Sequence, residues 1–558
     1  LARASLIAHE TAHMWFGDLV TMNWFDDVWT KEVFANFMAA KIVNPAFPEV
    51  DHELRFHTAH HPAAYDVDRT AGANPIGQAL DNLRYAGTLY GAIIYQKAPI
   101  VMRHLENLIG EDALQRGLRE YLAAFSYSNA TWTELIAILD RESEIDLLAW
   151  NQSWVYEAGR PRITIEPGSG SGGRAGYVIS QQDPLGEGRV WPQRLTLSEF
   201  EGDPNSVVAM EAVSTQVIEL GEEPVFVASA VTPESSDAFL LPNASGVEYA
   251  DFVLGVQNRQ ALLAGVEAIE PAVARGAAWT TLWEQVEEGR LAPASFFDRV
   301  AAALPREADE LILNRLTAML SELFWRRLDA AERVVLSAPL EAMLWREANS
   351  PDRTQSARAT FYSRFRALAT SDDGVARLQR LWSGEESVAG LPLSEADMIE
   401  LATGLALRGA GNAQQIIEEQ EARIENADRL ARFRFVRPSL SEREEERLAF
   451  FSSLQRRENR EREPWVLAAI ANLHHPLLAE RSIALIRPSL DLLEEIQETG
   501  DIFFPGRWLD ATLSGYASEE AAQLVRGYLT DKPELSSRLK NKVLQSSDTL
   551  LRPNPAAE

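Results

Sequence analysis

At 558 residues with 46% hydrophobic content, the chain has room for roughly three to four domains and enough apolar material to give each a buried core. Its 53 basic and 82 acidic residues leave a net charge of −29 spread along the chain, which repels a phosphate backbone over most of the surface and argues against nucleic acid as a partner. Cysteine is absent, so disulfides, thiolate metal sites and cysteine nucleophiles are excluded, and histidine and carboxylate remain as the strong metal ligands.

No stretch of the chain approaches the uninterrupted apolar length that a membrane-spanning helix needs. The sequence starts at Leu1 rather than Met, with chemistry eight residues later, so it reads as the C-terminal part of a longer product. Only six of the 53 basic residues are lysine. That arginine bias suggests a GC-rich, bacterial genome and leaves cytoplasm and periplasm both open.

Residues 1–160 read as a helical catalytic domain. In His9-Glu10-Thr11-Ala12-His13 two imidazoles stand four residues apart, about 400° around a helix, so both project from one face and can meet one ion. Glu10 sits beside that face, where its carboxylate reaches a metal-bound water in preference to the metal. Eighteen residues separate His13 from Glu32, past Asn23 and the pair Asp26-Asp27, where the chain can turn into a second helix. Val33, Phe34 and Phe37 recur there at helical spacing, which buries them and turns Glu32 toward the histidines. Two His and one Glu leave a fourth position for water, the mark of a catalytic rather than a structural site, and the expectation is one Zn²⁺ per chain.

His57, His60 and His61 lie in a polar segment without an accompanying carboxylate pattern, and are read as solvated or pocket-wall residues. Thr131-Trp132-Thr133-Glu134 is a capping box opening an apolar helix. From Arg162 the period changes to two, in 162–166, 194–198 and 216–220, which fits a small β-sandwich over 161–243. The glycine-rich run 168–173 lacks the Gly-Lys-Ser/Thr ending of a phosphate loop and reads as a hairpin tip. From 244 to the end, amphipathic segments rich in Ala, Leu, Glu and Arg suggest helix pairs stacked as a solenoid. His474-His475, followed by Pro476, reads as a helix end.

The segment from His9 to Met22, with Trp29-Thr30-Lys31-Glu32, resembles almost residue for residue the zinc segment of the membrane alanyl aminopeptidase family, the gluzincin peptidases that also include leukotriene A-four hydrolase; Val33 stands where a Gly is usual. The resemblance implies a thermolysin-like fold, ligands His9, His13 and Glu32, and base Glu10. Tyr95-Gln96-Lys97-Ala98 is similar to the family's Tyr-x-Lys-Gly motif, with Ala98 replacing the Gly. That implies Tyr95 as oxyanion donor, although Tyr85 and Tyr90 compete for the role because register in a lone helix cannot be fixed to one residue. Losing one such preorganised donor typically costs about 3 to 4 kcal/mol of transition-state stabilisation.

Trp154 to Arg162 resembles the family's domain-closing segment, and 241–252 the entry to its helical domain, which by resemblance encloses a chamber over the active site. The Gly-x-Met-Glu-Asn motif with which the family holds the substrate ammonium is not in these 558 residues. The expectation is a zinc aminopeptidase acting on peptides with a free N-terminus, with zinc binding by this chain and full exopeptidase activity in the intact product. The alternatives are a catalytically impaired peptide-binding scaffold and an epoxide hydrolase of the leukotriene kind.

Overall fold

The computed structural model describes residues 1–82, 91–202, 209–231 and 238–552. The chain divides into two compact units, Leu1–Leu291 and Ala292–Glu558. No described helix is long and apolar enough to cross a membrane.

In the first unit, α1 (Ala2–Ala12) packs along α2 (Val28–Val43). Alanine allows their close approach: Ala8 and Ala12 on one helix and Ala35 and Ala39 on the other are buried. The strand β1 (Val20–Met22) between them pairs in parallel with β2 (Ser128–Ala130). Helix α3 (His52–Asp68) starts at Asp51, whose carboxylate accepts the Leu54 N–H at 2.9 Å and satisfies one of the orphan donors of the first turn. A π turn over Ile93–Lys97 runs into α4 (Ala98–Ile109), which Gly110, at φ +85°, separates from α5 (Glu111–Ala124). The capping box is formed as read: Glu134 N donates to Thr131 Oγ1 at 3.2 Å and Thr131 N to Glu134 Oε2 at 2.7 Å, opening α6 (Trp132–Arg141). After α7 (Leu147–Asn151) the core closes on Trp29, Phe34, Leu105, Trp132, Trp150 and Trp154. Burying large apolar side chains of this kind stabilises by about 1.5–3 kcal/mol each.

The alternating segments form two sheets. One has the order β7 (Val225–Ala228), β4 (Ala175–Gln182), β3 (Arg162–Ser169), β9 (Asp251–Leu254); the other the order β6 (Ala212–Leu220), β5 (Gln193–Glu201), β8 (Ala238–Leu241). The glycine-rich run joins β3 to β4, with Gly172 and Gly173 at positive φ, where a residue with a Cβ is disfavoured. The first unit continues past 243: β9 pairs in parallel with β3, and α8 (Val256–Gly265) leads to α9 (Ala272–Glu287), which packs on α3.

Three imidazoles fasten this later stretch to the helices. His57 Nδ1 lies 2.9 Å from Gly246 O and its Nε2 2.9 Å from Thr280 Oγ1, while His61 Nε2 and His104 Nε2 lie 3.2 and 2.8 Å from Val247 O. His57 and His61 are 1% and 0% exposed, so these two are interior struts and not the solvated or pocket-wall residues expected from their polar surroundings.

The second unit is helical from Pro293–Ala303 to Asp548–Leu551, and among the described residues its only β pairing is an isolated bridge between Val388 and Leu391. Eight of its helices begin where the side chain of Asp309, Asp329, Thr354, Ser371, Ser394, Asn426, Ser518 or Ser536 caps the first turn. His474 ends one helix, buried with Nδ1 2.6 Å from Tyr516 Oη. The architecture is multidomain and mainly helical, and among the described residues its sheets lie in the first unit.

Candidate metal and catalytic site

On α1 the side chains of His9 and His13 meet edge to face, with ring centroids 4.7 Å apart and Nε2 atoms 3.1 Å apart. Glu32, one turn into α2, brings Oε2 to 3.6 Å from His9 Nε2 and 4.0 Å from His13 Nε2. Its other oxygen lies 3.6 Å from Lys31 Nζ. Among the described residues this is the one group of three or more metal-ligating side chains whose ligand atoms lie within 4.8 Å of one another.

The outward nitrogens decide what the inward ones present. His9 Nδ1 lies 3.0 Å from Asn36 Oδ1 and His13 Nδ1 3.1 Å from the Phe16 carbonyl. Both partners are acceptors, so each Nδ1 carries the proton and each Nε2 presents a lone pair. Two Nε2 atoms and a carboxylate oxygen thus face one another across 3.1 to 4.0 Å, a set of donors that a cation among them would satisfy. Tetrahedral coordination at 2.0–2.1 Å would place such atoms about 3.3 Å apart, close to the spacing the protein already holds. The donor set therefore fits a borderline divalent ion such as Zn²⁺ and leaves a side open.

Gly17 makes the turn behind His13 possible. Its φ is +144°, and a Cβ there would lie 3.2 Å from His13 O and 3.5 Å from His13 Nδ1. Only glycine lets the chain double back this close to the ring.

The Glu10 side chain is exposed and forms no hydrogen bond or ion pair among the described residues. It lines, with His9, a cavity of about 620 Å³ that Tyr95, Gln96, His60, Arg55 and Arg103 also line. Tyr95 lies in the π turn, a device that offsets a side chain from regular helical register and recurs at functional sites. Tyr85 and Tyr90, its competitors, lie outside the described residues. His13 and Glu32 do not line this cavity. Burial pushes the His60 imidazole, which lies 2.7 Å from the Gln96 amide, down to about 4, with the charges of Arg103 and Arg55 acting in the same direction. It is a neutral wall residue at pH 7.

The π turn is anchored from below. Lys97 Nζ donates to Asp68 Oδ2 at 2.7 Å and to Gly159 O at 2.7 Å, and both charged side chains are 0% exposed. Tyr249 Oη donates to the same carboxylate oxygen at 3.0 Å. Sequence reasoning named Lys97 only as part of a motif and missed Asp68, Tyr249 and Asn36. Of these, Asn36 alone had a local signal, since it follows Glu32 by one helical turn and so shares its face.

Residues 2–154 match the peptidase family M1 domain. The chain is 26% identical over 438 residues to aminopeptidase N of Streptomyces lividans, covering 75% of this chain and 50% of that protein. It is 33% identical over 165 residues to probable aminopeptidase 1 of Sulfurisphaera tokodaii, covering 30% of this chain and 21% of that one. Over 162 residues it is 35% identical to the puromycin-sensitive aminopeptidase of Caenorhabditis elegans, 29% of this chain and 17% of the other. The chain thus spans at most half the length of these relatives.

Proposed function

We propose, from the premise that the chain belongs to the M1 family of peptidases through residues 2–154, that it carries the zinc-hydrolase core of an aminopeptidase. His9, His13 and Glu32 would hold one Zn²⁺, Glu10 would act as general base, and Tyr95 as oxyanion donor. The single observation that supports this most is the convergence of the two Nε2 atoms and the Glu32 carboxylate, with both Nδ1 atoms turned outward to Asn36 and Phe16. The names of the relatives support peptides with a free N-terminus as substrates. In this reading residues 1–160 are the catalytic domain, the sheets after them a β-sandwich, and the helices of the second unit a solenoid.

Zinc, when bound, supplies a Lewis acid that lowers the pKa of a water toward about 7 and polarises a carbonyl. The protein's own groups do the rest. Glu10, exposed at the cavity edge and engaged by no other described side chain, takes the proton of the attacking water and returns it to the leaving amine. Tyr95, which lines the same cavity, donates its hydroxyl proton in a hydrogen bond to the carbonyl oxygen as that oxygen gains charge. Asn36 and the Phe16 carbonyl keep the two imidazoles in one tautomer and one orientation. No covalent intermediate on the protein is needed.

The experiment has two stages. Equilibrium dialysis against Zn²⁺ should give one bound ion per chain, lost on His9→Ala and on His13→Ala. The zinc-loaded chain is then given aminoacyl chromogenic substrates with free and acetylated amines. Hydrolysis confined to the free amine supports an aminopeptidase. Zinc bound equally well by the histidine variants would sink the whole assignment.

A further inference from the structure

The cavity beside His9 and Glu10 holds two guanidinium groups, and they differ. Arg103 is neutralised, with Nη1 and Nη2 at 2.5 and 2.8 Å from the two oxygens of Glu53 and its guanidinium 4.3 Å from the centre of the Phe56 ring. Arg55, one turn into α3 and half-buried, forms no side-chain hydrogen bond or ion pair among the described residues. The same cavity is lined by Phe56, Ala59 and the neutral His60 on the helix of Arg55, Ala40 on α2, Asn44 just after it, and Gln96 on the π turn. Glu10 is the one carboxylate among the residues lining this cavity, and no ion pair joins it to Arg55. In a chain with 82 acidic residues against 53 basic ones, a guanidinium with no carboxylate partner, on the wall of the cavity where the general base stands, is a vacancy for an anion from outside.

Resting on the hydrolase reading above, we infer that Arg55 binds a carboxylate on the part of the peptide that follows the scissile bond, and so selects among substrates. The substrate residue before that bond carries a free ammonium, which a guanidinium repels. The leaving portion offers the two anions a peptide can bring: the C-terminal carboxylate of a dipeptide, or the side chain of Asp or Glu. A planar guanidinium pairs with either in a fork geometry that an ammonium cannot copy. Arg103 cannot serve in its place while Glu53 holds both of its terminal nitrogens.

The test is a binding comparison in the Glu10→Gln background, which prevents turnover, followed by kinetics in the parent. Calorimetry with alanyl-alanine, alanyl-alanine amide, alanyl-glutamic acid α-amide and glutamyl-alanine amide separates the sources of charge. Dipeptide acid should bind about ten- to a hundredfold more tightly than its amide. Arg55→Gln should remove that preference while leaving the amide's affinity unchanged, and Arg55→Lys should restore part of it. Preference for alanyl-alanine alone assigns the site to the C-terminus, and preference extending to the glutamic acid α-amide, whose side-chain carboxylate is free, assigns it to any carboxylate after the scissile bond. Tightest binding of glutamyl-alanine amide overturns the placement. So do equal binding of acid and amide, a preference that survives Arg55→Gln, and no binding of any of the four. The same series of kcat/KM ratios in the parent and the Arg55→Gln chain should move in parallel. Because the zinc measurement stands apart, a chain that binds zinc but ignores the carboxylate refutes this inference and leaves the hydrolase reading intact.

Discussion

Asn36→Ala tests the least obvious part of the proposed metal centre. Asn36 is exposed on α2 and its Oδ1 lies 3.0 Å from His9 Nδ1. Replacing it by alanine, the best helix former, should not weaken the helix, so any change in metal affinity is local. Removing an outer partner of a ligating histidine typically costs 10- to 100-fold in affinity, or about 1.4 to 2.7 kcal/mol. The His9 side chain is 15% exposed, so water can replace the lost amide in part, and the expected loss lies near the lower bound, about tenfold. Asn36→Asp keeps the acceptor and adds charge, and should bind zinc at least as tightly as the parent. His13 offers an internal contrast, since its partner is the backbone carbonyl of Phe16 and cannot be deleted by a side-chain change. The assay is competition with a chromophoric chelator at fixed pH and ionic strength. An Asn36→Ala chain with the parent's affinity, measured beside a His9→Ala chain that has lost it, would refute the claim that Asn36 orients the ligand.

Glu10→Gln should retain zinc within a few fold while losing at least a hundredfold in kcat on a chromogenic substrate; near-normal turnover would remove Glu10 from the mechanism. Tyr95→Phe should cost about 3 to 4 kcal/mol in kcat/KM through kcat, with KM little changed, and a loss confined to KM would make the tyrosine a binding residue instead. Lys97→Met leaves the Asp68 carboxylate buried with only the Tyr249 hydroxyl, at an expected cost of about 3 to 5 kcal/mol in urea unfolding, much of it recovered in the double variant with Asp68→Asn; a loss under about 1 kcal/mol would mean the pair is not buried as described. Burial holds the His104 imidazole down at about 4, so between pH 6.5 and 4 the unfolded chain binds a proton that the folded one refuses. Stability should therefore be complete above pH 6.5 and fall as the pH drops toward 4, by up to about 3 kcal/mol from this residue alone. Unfolding midpoints that stay flat across that range would contradict the buried neutral imidazole.

What the sequence made legible was what the helix itself dictates. A four-residue spacing settles that His9 and His13 share a face, and the apolar register of Val33, Phe34 and Phe37 turns Glu32 the same way. Thr131 and Glu134 announced their helix start because both partners lie within one turn. Tyr95 was harder, because a π turn breaks the periodicity on which register arguments depend. Asp68 lies 29 residues before Lys97, and Tyr249 much farther away in the chain, so no local pattern connects them. His57 and His61 looked solvated among polar neighbours, and their carbonyl partners at Gly246 and Val247 could not be foreseen from a segment read in isolation. Arg55 carries no sequence signal at all, because its interest lies in a carboxylate that is not there.

The struts at Gly246, Val247 and Thr280 bear on how this protein can be divided. A fragment ending near residue 160 would keep His57, His61, His104 and the Lys97–Asp68 pair, yet lose Gly246, Val247, Thr280 and Tyr249. It would open to water a floor built to be dry. The helices that carry His9, His13 and Glu32 are thus not a module that recombination could pass on alone. Their smallest heritable unit runs to about Leu291, and exchanges with related proteins should succeed at that junction and fail at the end of the helical segment.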